Sequence, residues 1–323
     1  MHEPRDISVN TIKNKLRQKL ADEIAFFEGN AVAPLDKFLQ IIRCKYMIDN
    51  VVNIIEGLKN KVDAASLEAN ADPLGLFPEM KTIKVEAEDF GSLYATVLID
   101  TAIGPYFIKF IDDSVKELKT SQDIQNFFKE TKPEILRTSL KKIWLEEFIA
   151  FSETLNSTSR VCLLNILNVE ADFRTIQVVY NSLTESQRSN RVMLRKSVVS
   201  PFGTLYPDFM RQLIDADTLE VIRSVLSVSP AYRKLVQHAP DPQKMDEFNV
   251  NSKSFEDFLF EEECKLYSRV WDTQCNFAVF YSYIKLKEQE IRNLVWIGEM
   301  ITRKLSKGHQ AWNKIIIPFF NMK

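Results

Sequence analysis

Apolar residues recur every three to four positions along most of the chain, a spacing that predicts helices. Residues Thr11 to Phe27 place Ile12, Leu16, Leu20, Ile24 and Phe27 on one stripe. A second helix is predicted from about Pro34 to Leu58, with Leu35, Leu39, Ile42, Tyr46 and Val52 apolar and Gly57 near its end. Further helical periods fall at about 89–101, 121–129, 133–155, 170–183, 208–214, 217–227, 230–237 and 254–307, the last with room for breaks. The stretch ADPLGLFPEM, 71–80, carries the Pro/Gly punctuation of a connection. Period-two alternation is scarce, so the expected class is all-α.

A weak internal echo runs through this pattern. Phe77-Pro78-Glu79-x-Lys81, with Val97-Leu98 downstream, matches Tyr206-Pro207-Asp208 with Val225-Leu226 downstream. Each pairs a Pro-acidic helix start with a short acidic turn and then an apolar helix. Duplicated helical units would produce it.

Composition narrows the function classes. Of 323 residues, 45% are hydrophobic and 27% charged, a globular balance that argues against disorder. Only 8 are glycine, which disfavours Gly-rich loop architectures. The formal net charge of −2 provides no overall basic field to steer the chain to nucleic acid. Cys44, Cys162, Cys264 and Cys275 are far apart and form no CxxC pair, which fits a reducing compartment and offers no zinc site. The N-terminal MHEPRDISVN is not a signal peptide, and no apolar run approaches the ~18 residues of a spanning helix.

Enzyme signatures are missing. There is no GxGxxG, no GxxxxGK[ST], no HExxH and no GxSxG, and the histidines are only His2, His238 and His309. No catalytic, cofactor-binding or metal-ligating residues are therefore assigned. Asp112-Asp113 suggests an Asp-rich magnesium helix but lacks a third spaced Asp, so a solvated helix end is the better reading. Cys264 sits beside Glu261, Glu262 and Glu263, carboxylates that disfavour thiolate, so a structural role is expected for it. The Glu run itself reads as a solvated face.

The region from about Gln274 to Lys307 is the most informative. It has no proline, and Gly308 offers a stop, so a helix of roughly 50 Å is expected. At about 100° per residue, Phe280, Ile284, Ile291, Val295 and Gly298 form an apolar stripe. Beside it run Glu288, Arg292, Trp296, Glu299 and Arg303, with Glu288–Arg292 and Glu299–Arg303 spaced i, i+4 in the favourable order. This ladder is read as a contact element, either bracing helices or lining a groove for another protein. Without a histidine, metal ligand or phosphate loop, it is poor material for catalysis.

Within this region, YIKLKEQEIRNLVWIGEMI, 283–301, resembles the C-terminal signature of subunit d of eukaryotic V-type proton ATPases, a family related to the C-type subunit of archaeal and bacterial A-type ATPases. Six further blocks agree in order: YMIDNVVNII at 46–55, DPLGLFPEM at 72–80, LYATVLIDTAIGPYF at 93–107, LNVEADFRTIQ at 167–177, LYPDFMRQLIDAD at 205–217 and FEDFLFEEECKL at 255–266. The resemblance runs from about Ile7 to Phe320.

It implies a single all-helical, funnel-like domain over 1–323, built of three related lobes, which would account for the internal echo. It also implies a non-catalytic subunit with no cofactor, peripheral to the membrane on the cytoplasmic face of vacuolar or other endomembrane compartments. The implied partners are the proteolipid c-ring and central stalk subunits D and F, with subunit a as a further candidate neighbour. By motif position, Glu288, Glu290, Arg292 and Trp296 are expected to shape the stalk-coupling cavity, and Glu299 and Arg303 extend that ladder. Two departures stand out. The family pattern has some tens of residues before the part matching Ile7, so the first lobe is expected to be shortened. Met300 stands where a cysteine is common, so no disulfide role is carried to it. The alternatives are a helical-repeat scaffold with other partners and, last, a magnesium-dependent enzyme using Asp112 and Asp113.

Overall fold

The computed structural model describes residues 8–62, 64–82, 101–114, 121–185, 187–237, 239–242, 253–273, 275–306 and 308–317. Every regular element among them is helical, as expected for an all-α chain. In order these are α1 Val9–Gly29, α2 Leu35–Lys59, α3 Ala64–Ala69, α4 Gly104–Ser114, α5 Ser121–Glu130, α6 Pro133–Glu153 and α7 Ser157–Asn181. Then come α8 Arg188–Val198, α9 Asp208–Ile214, α10 Leu219–Leu226, α11 Pro230–Gln237, α12 Phe255–Arg269 and α13 Ala278–Thr302.

Local chemistry explains where the boundaries differ from the periodicity. The helix predicted from 170 begins at Ser157, because Asn156 caps it by accepting a hydrogen bond from the Ser159 amide at 2.8 Å. The stretch 254–307 divides. Ser254 and Asp257 form a capping box that opens α12, and a 3-10 turn, Val270–Asp272, follows it. Cys275, with φ 58, and a hydrogen bond from Asn276 Nδ2 to the Thr273 carbonyl at 2.5 Å then lead into α13. This last helix stops at Thr302, where Lys304 takes the left-handed conformation (φ 55), rather than at Gly308. Its 25 residues span roughly 37 Å, not the expected 50 Å. Helices α3, α4 and α8 have no counterpart in the helical periods, and the predicted helix at 89–101 falls almost wholly outside the described residues.

The chain forms two compact units: Arg17–Phe151, and Ser152–Lys323 together with the start of the chain up to Leu16. In the first, α2 buries Phe38, Leu39, Ile48, Val51 and Val52 completely, and α6 buries Leu140, Trp144 and Phe148. Phe148 packs between Phe38 and Trp144, with centroids 5.6 and 5.5 Å away, and the Trp144 indole N–H donates to the Ile41 carbonyl at 2.6 Å. Each such buried side chain contributes about 1.5–3 kcal/mol, and the indole bond removes the cost of burying an unpaired donor. In the second unit, Ile176, Val179, Leu213, Ile222, Leu226, Leu235 and Phe255 gather α7 and α9–α12 around one core.

Each unit carries the same polar device on a 25-residue helix. Asn50 and Asp172 stand at equivalent positions, fifteen residues past the first residues of α2 and α7. The Asn50 side-chain amide donates to the Asp72 carbonyl at 2.9 Å, and its oxygen accepts from the Asp72 amide at 2.8 Å. The wholly buried Asp172 carboxylate accepts from the Thr204 amide and hydroxyl (2.9 and 2.6 Å), the Leu205 amide (3.1 Å) and the Tyr232 hydroxyl (2.6 Å).

Each clamped loop holds a glycine pressed onto its helix. A Cβ on Gly75 would lie 2.7 Å from Asn50 Nδ2 and 2.4 Å from the Tyr46 carbonyl; on Gly203 it would lie 2.1 Å from Asp172 Oδ1 and 3.2 Å from the Asn168 carbonyl. Tyr46 and Asn168 each precede the clamping residue by one helical turn. The loops then run into Phe77-Pro78-Glu79 and Tyr206-Pro207-Asp208, the segments of the sequence echo.

Candidate functional site

Helix α13 is held rigidly from behind. Tyr281, Ile284, Ile291 and Met300 are buried, and α13 packs on α12 and α7. One carboxylate joins all three helices: Glu170 of α7 accepts from the Tyr267 hydroxyl of α12 at 2.5 Å and the Tyr281 hydroxyl of α13 at 2.8 Å. Burial and then the Glu170 charge hold the Tyr267 hydroxyl well above its ordinary pKa, so it remains a donor. In the predicted apolar stripe, Ile284 and Ile291 are buried, while Phe280, Val295 and Gly298 are half-buried.

The six ladder residues divide into two groups. Glu290, Glu299 and Arg303 lie in solvent-facing pairs: Lys287 Nζ is 2.6 Å from Glu290, and Arg303 Nε is 3.6 Å from Glu299, the predicted i, i+4 pair. At such exposure each is worth a few tenths of a kcal/mol. Glu288, Arg292 and Trp296 are more engaged with the protein. The Arg292 guanidinium carbon lies 3.2 Å from the Phe260 ring centroid, and Nη1 donates to Gln289 Oε1 at 2.5 Å. Although the residue as a whole is exposed, desolvation of the guanidinium lowers its pKa, against the charges of Glu263 and then Glu288, which raise it.

Trp296 faces a feature the periodicity does not announce, a C-terminal strap over residues 308–317. Its indole N–H donates to the Ala311 carbonyl at 2.9 Å, and Lys314 Nζ lies 5.4 Å from its ring centroid. Asn293 binds the strap twice, donating to the Ile316 carbonyl at 2.5 Å and accepting from the Ile316 amide at 3.2 Å. Gln289 orients Asn293 with a 2.9 Å bond to its side-chain oxygen. Lys314 also pairs at 3.6 Å with Asp257, the capping residue of α12. The sequence signal for this strap is Gln289, Asn293 and Trp296 at i, i+4, i+7, a polar and aromatic row on one side of the helix.

Asn293→Ala is expected to loosen the strap by about 1–3 kcal/mol, because two backbone groups lose their partner. Hydrogen exchange at the Ile316 amide should quicken by about fivefold or more, and trypsin should cut after Lys314 sooner. Unchanged exchange would show that the strap is held elsewhere.

The sequence candidates for chemistry are not assembled into a reactive site. Asp112 and Asp113 are exposed at the end of α4, and among the described residues no group of three or more His, Cys, Asp or Glu could hold a metal ion. The Glu run is half-buried rather than fully solvated, with Glu262 bonded to Lys265 at 2.5 Å and Glu261 paired with Lys253. Cys264 is buried, and desolvation, then the Glu263 charge, push its thiol up to about 12; burial takes Cys44 to about 11. A raised thiol pKa leaves almost no thiolate at pH 8. An aromatic disulfide reagent should therefore modify exposed Cys275 first and half-buried Cys162 next, reaching Cys44 and Cys264 only on unfolding. Four thiols reacting in the native state would contradict this order.

The family model described as ATP synthase (C/AC39) subunit matches residues 1–309. The chain belongs to this family. Among curated relatives of this C/AC39 chain, the V-type proton ATPase subunit d of Dictyostelium discoideum is 36% identical over 98% of the chain and 82% of its own length. The V-type proton ATPase subunit d1 of Arabidopsis thaliana is 33% identical over 94% of the chain and 79% of its length. The subunit d of Saccharomyces cerevisiae is 30% identical over 92% and 78%. The resemblance carried by the seven sequence blocks is thus borne out across nearly the whole chain. Among the described residues of this family member, no helix is long and apolar enough to cross a membrane.

Proposed function

We propose that this C/AC39 chain is a non-catalytic d-type subunit of the V0 sector of a rotary proton-pumping ATPase. It caps the proteolipid c-ring on the cytoplasmic face of an endomembrane, receives central stalk subunits D and F, and passes ATP-driven rotation to the ring. Subunit a is a further neighbour, and acidification of the compartment is the outcome. The observation that carries this reading is the end-to-end relatedness to proteins named V-type proton ATPase subunit d.

Physical features support it. A torque coupler has to move as one piece, and the half-buried Glu170 junction ties α7, α12 and α13 together through two tyrosine hydroxyls. In front of that support, Glu290, Glu299 and Arg303 offer a mixed-sign surface suited to a charge-complementary, detachable stalk. Glu288, Arg292 and Trp296 act one layer back: they set the helix and the strap that present those charges. The matching clamps at Asn50 and Asp172 are the remains of a repeated helical lobe.

The test uses a chain tagged at its N-terminus and membranes opened in mild detergent. Recovery of the proteolipid ring with subunits D and F is expected. A Glu290→Ala/Glu299→Ala/Arg303→Ala chain should keep the ring and its own thermal midpoint but lose most of D and F. Recovery of neither ring nor stalk by the unaltered chain would refute the coupling role and favour a scaffold with other partners.

A further inference from the structure

Helix α8 carries four basic residues and no acidic one, and it divides them between two sides. Arg191 and Arg195 are buried on the side that packs against α7 and α9. Arg188, Ser189, Val192, Met193 and Lys196 lie on the other side and line an open groove of about 530 Å³. Their spacing is i, i+1, i+4, i+5 and i+8. One row along the helix therefore reads Arg188, Val192, Lys196, with Ser189 and Met193 beside it. At the helical rise the two cations of this row stand roughly 12 Å apart, with the apolar pair between them.

Two observations set this side apart from an ordinary solvated face. The first is Met193, which lies 68% exposed in the middle of the groove. A flexible, polarizable thioether held in water gains nothing there and packs readily against a second surface, and methionine and arginine are both enriched at protein interfaces.

The second is the charge balance. Asp217 is the carboxylate paired with this helix, and two guanidiniums share it: Arg191 Nη2 at 2.8 Å and Arg188 Nε at 3.3 Å. The Arg191 hydrogen bond, followed by the charges of Arg188, Arg191 and Arg195, holds the Asp217 carboxyl below its ordinary range. Asp215 acts on the buried Arg195 through its charge and does not line the groove. Lys196 is exposed and has no hydrogen-bond or ion-pair partner among the described residues. The groove thus has a cation at each end and no carboxylate among its lining residues.

We propose that this face of α8 docks an acidic amphipathic helix of a partner protein. An apolar side chain of that helix lies on Val192 and Met193, and carboxylates on either side of it reach Arg188 and Lys196. The partner segment is helical because α8 bonds its own main chain internally and offers no edge for a strand; only a segment that satisfies its own amides and carbonyls can cover the apolar centre without cost. A basic segment would set like charges against Arg188 and Lys196. A lipid surface fits less well, because the outward side has only Val192 and Met193 to insert and no aromatic residue. The inference is independent of the ring and stalk assignment and can fail without it.

The experiment replaces Met193 with the photo-crosslinking residue p-benzoylphenylalanine in the full-length chain, irradiates intact membranes, and identifies the adduct by mass spectrometry. The expected product is a peptide with at least two carboxylates within four residues of the attachment point. Raising KCl from about 50 to about 300 mM should lower its yield at least threefold. Lys196→Glu and Ser189→Glu should each lower the yield at least fivefold without moving the thermal midpoint, and Ser189→Lys should preserve it. No adduct, an adduct on lipid, or a peptide lacking those carboxylates would overturn the proposal. So would a yield indifferent to the charge at positions 189 and 196.

Discussion

Arg195→Ala is expected to destabilise the Ser152–Lys323 unit by roughly 3–5 kcal/mol, because it strips a donor from several buried acceptors at about 1–3 kcal/mol for each left unsatisfied. Arg195 is completely buried and has no carboxylate in direct contact among its bonded partners. Its guanidinium donates instead to Ser182 Oγ at 2.8 Å and to the carbonyls of Val179, Leu213, Ile214 and Ala216 at 3.2, 3.3, 2.8 and 2.6 Å. Those carbonyls belong to the last turns of α7 and α9 and to Ala216, two residues past α9, where the helical N–H ladder runs out. The Val179 carbonyl also accepts from the Ser182 hydroxyl at 2.8 Å, and the Leu213 carbonyl from the Ala216 amide at 3.3 Å. A cation there also meets the negative ends of two helices.

Burial pulls the Arg195 pKa down to about 10, yet the group stays charged at neutral pH, so one side chain serves as the shared C-cap of two helices. Alanine would take the guanidinium donor from the Ser182 oxygen and all four carbonyls, of which Val179 keeps the Ser182 hydroxyl and Leu213 the Ala216 amide. Lysine keeps the charge but has three donors in place of the planar fork, so Arg195→Lys should lose less, about 1–3 kcal/mol. Urea unfolding checks both variants, through a lower midpoint with an unchanged slope. An alanine variant within about 1 kcal/mol of the parent would show that water replaces the guanidinium.

These junctions explain how far the sequence can be read. Helix class and most helix positions follow from periodicity alone, because α2, α6 and α7 each present an apolar surface to a core. The breaks do not follow, because a capping box at Ser254 or a left-handed Lys304 depends on side-chain bonds that leave no periodic trace. Helix α8 is short and polar, and its buried Arg195 looks in sequence like one more surface arginine among Arg188, Arg191 and Lys196.

The ladder is legible as a set of residues and only partly as an arrangement. The Glu299–Arg303 pair follows from i, i+4 spacing. The role of Trp296 depends on a strap whose path the helical period of α13 does not encode. Several blocks that carry the family resemblance hold the internal junctions: LNVEADFRTIQ contains both Glu170 and Asp172, while YMIDNVVNII and DPLGLFPEM supply the two sides of the Asn50 clamp.

Those clamps set the second large expected effect. Gly203→Ala should cost the sum of two penalties: about 1–2 kcal/mol for an alanine at φ 110, and a further ~1–3 kcal/mol for driving a Cβ to 2.1 Å from the Asp172 carboxylate. The carboxylate cannot simply withdraw, because four hydrogen bonds hold it. Gly75→Ala carries only the second penalty, but against the Tyr46 backbone in the middle of α2, which has less freedom to shift than a side chain.

A double-mutant cycle separates the two parts at Gly203. In an Asp172→Ala background the collision partner is gone, so Gly203→Ala should cost only its backbone strain there. The coupling should be favourable by about 1–3 kcal/mol, the collision energy. Strict additivity would mean that the loop moves off α7 when the Cβ appears, and that the carboxylate follows it. A coupling of the expected sign would instead establish that the glycine and the acid form one contact, with the glycine present because the acid is there. The same cycle at Gly75 and Asn50 should show weaker coupling, since most of that collision is with main chain that the Asn50→Ala substitution leaves in place.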